Sequence, residues 1–397
     1  MVGYAAAYAG TWLAILTPIM VTLALRTREL EPQNAEYWLS LVLAVGALCA
    51  LVSNPVAGWL SDRTTSSWGM RRPWLIGGAV CGALSLWLVA SAPSVGWLLG
   101  AWCLTQVSFN AVLAPLAALL PDQVPATQRG TVAGIIGITT PIGQVGGTYV
   151  TRALSGDMAA MLVVPAIVCL VLVIVLALSM PDRQLSRDKA PPLQWSTLFS
   201  SFRANPSRTP DFTWVCVGRF CLMMCMAFMM AYQPFFLMDR LRVAAPDVPD
   251  IVFRATLIQS AAVVIAGLVA GRLSDLTRRR KPFVMLSAAA CAAGALLAAT
   301  ASSYDAYFLA VTIFGVGLGA FLSVDLALVT DVLPNKEDDA AKDLGLFNIA
   351  SALPQSIAPG IASVILLQAG GYSSVFIAGG IMALIGAAAV TPVRSAR

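Results

Sequence analysis

The stretch GWLSDRTTSSWGMRRPW (residues 58–74) places a cluster of charged residues between two long apolar segments. A shorter version returns later in the chain, as GRLSD (residues 271–275) followed by RKPF (residues 280–283). Further landmarks pair up in the same order: Asp122 with Asp331, Pro125 with Pro334, Arg129 with Lys342, and Pro141 with Pro354. Ordered pairs of this kind predict that the chain contains two copies of one structural unit.

The composition places both copies in a membrane. Hydrophobic residues make up 58% of the chain and charged residues only 11%, whereas soluble domains carry about 25% charged residues. Twelve apolar segments have the length of ~20 residues that a membrane-spanning helix needs. We predict an all-α membrane protein of twelve transmembrane helices in two pseudo-symmetric six-helix bundles. The expected boundaries are residues 1–180 for the N-terminal bundle, 181–210 for a cytoplasmic linker and 211–397 for the C-terminal bundle.

The basic residues predict the orientation of the chain. Most Lys and Arg residues fall in the even-numbered connections and at the C-terminus, which the positive-inside rule assigns to the cytoplasm. The net charge of +5 therefore reflects topology, and the partner it implies is the lipid bilayer rather than nucleic acid. We expect both termini to be cytoplasmic and the protein to lie in the inner cell membrane. The first apolar segment has no charged leader or cleavage site, so it is expected to be retained, while a native start upstream of Met1 stays open.

Several chemistries are not expected from this sequence. The chain has no histidine, and its eight cysteines form no CxxC, so we predict no metal site and no cofactor. A hydrolase would need a nucleophile with its base, and ATP-driven transport would need a P-loop, GxxxxGK[ST]; neither pattern is present. We therefore expect a protein that is not an enzyme. A membrane sensor is a further alternative, but it would normally bring a soluble signalling domain.

The charged loop also carries a resemblance to a known family. GWLSDR followed by RRPW is similar to the loop after the second helix in major facilitator superfamily transporters, and the spacing resembles that of the sucrose/proton symporters and the glycoside-pentoside-hexuronide cation symporters. AKDLGLFNIASALPQ (residues 341–355) resembles the eleventh helix of the same sugar transporters. The resemblance implies a substrate site between two halves that rock to alternate access. Sucrose symporters carry a histidine in an early external loop, so its absence here argues against sucrose itself.

The resemblance further implies a gate on the cytoplasmic side. Asp62 is expected to cap the start of the eleventh helix and Asp275 the start of the fifth, where the helix dipole is positive. A purely topological role for this charge is the alternative, and the basic loop residues could equally anchor anionic lipid. The predicted gating residues are Asp62, Arg63, Arg71, Arg72, Asp122, Arg129, Asp275, Asp331 and Lys342.

Two ionisable residues lie inside predicted spans, where charge is expensive. Arg219 on the seventh helix and Asp325 on the tenth each lie ~9 to 12 Å from the cytoplasmic end, at a rise of 1.5 Å per residue. We therefore predict an Arg219–Asp325 ion pair. One interpretation is a structural pair with no further role; the other is that Asp325 couples transport to a proton or Na⁺ while Arg219 controls its ionisation.

Uncharged polar side chains recur at helical spacing on helices that line the cavity in this family. Amide and phenol groups suit a hydroxylated ligand, although each of them could equally join helices together. The predicted function is a monomeric secondary transporter that takes up a small molecule, a sugar or glycoside, with a proton; the alternative is a proton-driven exporter of drugs or metabolites. The candidate substrate-binding residues are Tyr4, Tyr8, Trp12, Asn54, Gln106, Asn110, Gln144, Tyr232, Gln233, Gln259, Asn348 and Gln355.

Overall fold

The computed structural model describes residues 1–185, 210–332, 340–369 and 371–393. Most of the predicted linker, residues 181–210, lies outside this range, as do the side chains of Asp331, Lys342 and Asn348. The described residues contain twelve long helices and no strand. Their bounds are Val2–Leu30 (α1), Ala35–Ser61 (α2), Arg72–Ala90 (α3), Val95–Gln123 (α4), Arg129–Ala153 (α5), Met158–Ser179 (α6), Pro210–Ala231 (α7), Val248–Thr277 (α8), Lys281–Thr300 (α9), Tyr304–Val332 (α10), Ala340–Ala369 (α11) and Tyr372–Ala389 (α12).

Within the described residues, ten helices are long and apolar enough to cross a membrane. The two that fall short are α5 and α11. The helix α5 carries Thr139, Thr140 and Gln144 in its middle, and the described residues of α11 include one shorter apolar stretch, Leu353–Leu366. Polar residues lower the hydropathy of α5, which carries Gln144, one of the residues predicted to bind substrate.

The chain divides into two compact units. The first comprises Met1–Gln194 with Ala244–Phe253, and the second Trp195–Val243 with Arg254–Arg397. The short segment joins the first unit because the Arg152 Nε group lies 2.6 Å from Asp250 Oδ1, and the Ser155 hydroxyl donates to the Pro246 carbonyl at 2.7 Å. The sequence repeat alone does not indicate this attachment.

Each unit uses the same pattern of helix packing. In the first unit α1 packs on α5 and α6, α3 packs on α4 and α6, and α2 packs on α4. In the second unit α7 packs on α11 and α12, α9 packs on α10 and α12, and α8 meets α10 where Gly267 lies against Gly319. Adding six to each helix number in the first set gives the second set, so the sequence repeat is also a repeat of structure.

Glycine allows two of these helix pairs to approach closely. A Cβ at Gly143 on α5 would lie 2.8 Å from the Leu13 nitrogen of α1. A Cβ at Gly319 on α10 would lie 2.1 Å from the Val263 carbonyl oxygen of α8. Small residues of this kind let transmembrane helices pack backbone to backbone, where van der Waals contact replaces the hydrophobic drive that lipid does not supply.

Candidate functional site

The second unit holds a buried ion pair between α7 and α10. Arg219 Nη1 contacts Asp325 Oδ2, and Asp325 is only 1% exposed. The pair predicted from the depth of the two residues is therefore confirmed. Because a carboxylate inside apolar helices is costly unless it is compensated, loss of either partner would leave a buried charge at a cost of several kcal/mol.

Arg219 has two further partners, both on α11. Its guanidinium carbon lies 4.1 Å from the centre of the Phe347 ring, and its Nε group donates to the Ser351 hydroxyl oxygen. Neither residue was predicted from the sequence. Their spacing of four residues places them on one face of α11, but that spacing does not indicate which helix they face.

A cluster of amides lies between α2 and α4 of the first unit. The Asn54 Nδ2 group donates to Asn110 Oδ1 at 3.0 Å, and Asn110 Nδ2 donates to the Gln106 carbonyl at 2.8 Å. Gln106 and Asn110 are buried. Asn54 and Asn110 are therefore brought together across two helices, with Gln106 one turn before Asn110 on α4, and we refer to Asn54, Gln106 and Asn110 as the amide cluster.

The two tyrosines of α1 also lie against each other. The ring centres of Tyr4 and Tyr8 are 5.4 Å apart in an edge-to-face arrangement, and the Tyr4 hydroxyl donates to the Leu116 carbonyl of α4 at 2.6 Å. Both side chains are largely buried. Trp12, two turns beyond Tyr4, is half-buried where α1 meets Gly143 of α5.

The remaining candidates are more dispersed. Tyr232, the residue after α7, is fully buried and its hydroxyl donates to the Pro359 carbonyl at 3.0 Å, so it joins the end of α7 to α11. Gln233 is buried, Gln144 and Gln259 are half-buried, and Gln355 is exposed. The Asn348 side chain lies outside the described residues.

Arg71 is the centre of a charged network at the ends of α2, α3 and α4. It is 5% exposed, its Nη2 group lies 2.7 Å from Asp62 Oδ1 and 3.0 Å from Asp122 Oδ2, and its Nη1 group donates to the Ser61 hydroxyl. Three predicted gating residues therefore form one network within the first unit. The capping of the eleventh helix by Asp62 stays a prediction.

Three further gating candidates in the described part of the chain have local partners. In the second unit Asp275 pairs with Arg280 at 2.7 Å, which repeats the pairing of Asp62 with an arginine of the following loop. Arg129 donates to the Val124 and Pro121 carbonyls. Arg63 donates to the Trp59 carbonyl and lies over the Trp59 ring.

Asp182, just after α6, is a partner of the loop that was not predicted from the sequence. Its Oδ2 atom accepts from the backbone N–H groups of Arg71 and Arg72, at 2.9 Å each, so it caps the start of α3. Gly69 has a φ of +113° and a Cβ there would lie 2.1 Å from the same oxygen.

The residues on either side of Asp182 are also bound to this loop and to the start of α3. The Arg72 guanidinium donates to the Met180 carbonyl at 2.6 Å, and Gln184 Nε2 donates to the Ser67 carbonyl at 2.7 Å. We call Met180–Gln184 the linker anchor.

Replacing Arg71 with glutamine is expected to lower the free energy of unfolding by about 2 kcal/mol, because hydrogen bonds to charged groups are lost and two carboxylates remain side by side. The thermal midpoint of the purified protein in detergent measures this. Arg272→Gln removes an exposed arginine from α8 and should leave the midpoint unchanged. Equal midpoints for the two variants would contradict a stabilising role for the network.

Two units with a repeated packing pattern, a buried ion pair and an amide cluster with two buried members define a multi-pass membrane protein that keeps polar groups among apolar helices. A family model described as Major Facilitator Superfamily matches residues 1–253 and 254–396. The chain therefore belongs to the Major Facilitator Superfamily of membrane transporters, and it is not an enzyme.

Two curated relatives match parts of the chain. The sucrose transport protein SUC4 of Arabidopsis thaliana is 31% identical over 163 residues, which cover 36% of this chain and 30% of that protein. The general alpha-glucoside permease of Schizosaccharomyces pombe is 28% identical over 129 residues, covering 28% of this chain and 22% of that protein. The matched stretches thus span under a third of either relative.

Solved structures match over nearly the whole chain. A mutant of the nucleoside transporter NupG has a TM-score of 0.74 at 13% identity, with 98% of both chains covered. The xylose transporter XylE from E. coli has a TM-score of 0.70 at 13% identity, with 97% of this chain and 95% of that one covered. At this level of identity the likeness establishes the fold, which is the predicted twelve-helix transporter fold.

Proposed function

We propose that the chain is a secondary active transporter that takes up a sugar or glycoside together with a proton, by alternating access. Its curated relatives are named as transporters of sucrose and of alpha-glucosides. These names support a sugar as substrate. We further propose that the protein acts as a monomer in the inner cell membrane with both termini in the cytoplasm; the distribution of its basic residues supports that orientation.

The observation that carries proton coupling is the burial of Asp325 against Arg219. A carboxylate surrounded by apolar helices has two stable states, one ionised and paired with the guanidinium and the other protonated and neutral. A change between these two states of Asp325 alters the contact between α7 and α10, and it needs no ligand other than the proton. Arg219 also disfavours Na⁺ at this carboxylate, because a second cation there would be repelled.

The amide cluster supplies the chemistry for the substrate. Asn54 and Asn110 each offer an acceptor oxygen and an NH₂ donor group, and a sugar presents several hydroxyls that both donate and accept. Tyr4 and Tyr8 add aromatic surface on the neighbouring α1. A site built from uncharged donors, acceptors and rings suits a neutral hydroxylated ligand better than a lipophilic cation.

Uptake by purified protein in proteoliposomes tests the proposed function. A panel of radiolabelled sugars, including maltose, sucrose, xylose and a methyl glucoside, is offered with and without an imposed inward proton gradient. We expect at least one α-linked sugar to accumulate only with the gradient, and accumulation to collapse when a protonophore is added. Equal uptake of every sugar by protein-free liposomes, or accumulation that ignores the gradient, would overturn the proposal.

Replacing Asn110 with alanine is expected to raise the KM for the transported sugar about tenfold, since one lost hydrogen bond of ~1.4 kcal/mol corresponds to that factor. Initial rates of uptake over a range of sugar concentrations measure the change. Ser108→Ala is the matched control, because Ser108 is buried on the same helix and is not among the substrate candidates. An unchanged KM for Asn110→Ala would remove the amide cluster from the substrate site.

A further inference from the structure

We propose that Phe347 and Ser351 of α11 are positioning residues for the coupling pair, which they serve by holding Arg219 against Asp325. The proposal rests on the proposed function for its role in transport. Its structural part, that α11 controls the ionisation of Asp325 through Arg219, can be tested without any transport measurement.

The Arg219 guanidinium, carried by α7, is contacted by both α10 and α11. Asp325 of α10 contacts Nη1, Ser351 of α11 accepts from Nε, and the Phe347 ring of α11 covers one face at 4.1 Å. The Ser351 hydroxyl donates to the Phe347 carbonyl at 3.1 Å, which leaves its oxygen lone pairs to accept from Arg219. Phe347 is 2% exposed. The guanidinium is thus held on an edge and a face by α11 and at its tip by α10.

The two sets of contacts respond differently to a proton. Protonation of Asp325 removes the negative charge that attracts Nη1, so the contact with α10 weakens. The hydrogen bond to Ser351 and the cation–π contact with Phe347 involve no titrating group and persist. Arg219 then stays with α11, and conversely a displacement of α11 draws the guanidinium away from an ionised Asp325.

The helix α11 contains a point at which such a displacement can occur. Pro354 lies three residues after Ser351 and has no N–H, so the carbonyl of Ala350 lacks its usual helical donor. On the far side of Pro354, the hydroxyl of Tyr232, the residue after α7, donates to the Pro359 carbonyl and fixes that part of α11. A bend at proline would therefore move Phe347 and Ser351 while leaving the attachment at Tyr232 in place.

Labelling with dicyclohexylcarbodiimide tests the structural part, because this reagent modifies protonated carboxyl groups in apolar surroundings. In the purified full-length protein at neutral pH, Ser351→Ala is expected to raise labelling of Asp325 about threefold or more, since a loosened Arg219 competes less well with the proton. Mass spectrometry of the peptide that contains Asp325 gives the readout, with Asp325→Asn as the blank. Phe347→Leu, which keeps an apolar side chain but removes the ring, should have an effect of similar direction.

Two controls separate positioning from a general loosening of α11. Ser363→Ala makes the same change on the same helix, where the hydroxyl donates within α11 to the Gly360 carbonyl at 2.8 Å, and Ser351→Thr restores a hydroxyl at the site. In both variants Asp325 should be labelled to the same extent as in the parent protein. Labelling of Ser351→Ala equal to that of Ser363→Ala would overturn the proposal, whatever the transport activity.

Transport measurements then connect the positioning to coupling. With the gradient imposed, Ser351→Ala should accumulate about fivefold less sugar than Ser363→Ala, while counterflow exchange stays within about twofold. Raised labelling in Ser351→Ala with no gradient-driven uptake by the parent would reject the proposed function and leave the positioning role standing. Raised labelling with normal accumulation in Ser351→Ala would overturn the link between positioning and coupling.

Discussion

Replacing Asp325 with asparagine is expected to abolish accumulation of sugar against its gradient while leaving counterflow exchange active. An inward pH difference of one unit can drive about tenfold accumulation per proton, because one unit corresponds to ~1.4 kcal/mol. Asparagine cannot take up that proton, so the internal concentration should only equal the external one. Proteoliposomes with an imposed pH gradient, assayed for net uptake and separately for exchange, measure both quantities.

The control for this prediction is Asp305→Asn. Asp305 lies on the same helix, α10, but in its exposed first turn, and its replacement should preserve accumulation. Because Asp325→Asn also leaves Arg219 without its anionic partner, the double variant Arg219→Gln with Asp325→Asn separates a folding defect from a coupling defect. Accumulation by Asp325→Asn at the level of Asp305→Asn would eliminate Asp325 as the coupling residue.

Replacing Gly319 with alanine is expected to destabilise the second unit by about 3 kcal/mol or more, an effect at the upper end of those caused by overpacking. The added Cβ would lie 2.1 Å from the Val263 carbonyl oxygen, and the obstacle is backbone rather than a side chain that can rotate. The helices α8 and α10 would have to separate. The thermal midpoint and the yield of monodisperse protein in detergent measure the loss.

Gly360→Ala on α11 provides a matched comparison for Gly319. A Cβ at Gly360 would meet nothing within 4 Å, and alanine is the better helix former by about 1 kcal/mol. This variant should therefore be as stable as the parent or slightly more so. If both glycine variants unfold at the parent's temperature, the close contact between α8 and α10 does not contribute to stability.

Much of this fold could be predicted from the sequence because the thickness of the bilayer sets the length of a membrane-spanning helix. A helix that crosses ~30 Å of hydrocarbon needs ~20 residues, so apolar length alone gives the helices and their order. The same fixed rise of 1.5 Å per residue places Arg219 and Asp325 at one depth. In a chain with so few buried charges, equal depth within one bundle was enough to predict their pairing.

The partners that could not be predicted depend on how each helix is rotated about its axis. The spacing of residues along α11 does not indicate which neighbouring helix each side meets, so Phe347 and Ser351 could not be assigned to Arg219. The close contact of Gly319 with α8 could not be predicted either, because a glycine in a membrane helix does not show which backbone lies opposite it. Asp182 follows the sixth helix among other polar residues, and its capping of α3 depends on a contact across 110 positions in the chain.

The linker anchor has a consequence for any engineered version of this transporter. Asp182 and Gln184 are bound to the loop before α3. A protease site or fluorescent domain inserted between Ser179 and Gln184 would therefore cut through a structural attachment of the first unit. An insertion that follows Leu185 would spare these bonds, so the usable insertion window opens there rather than at the end of α6.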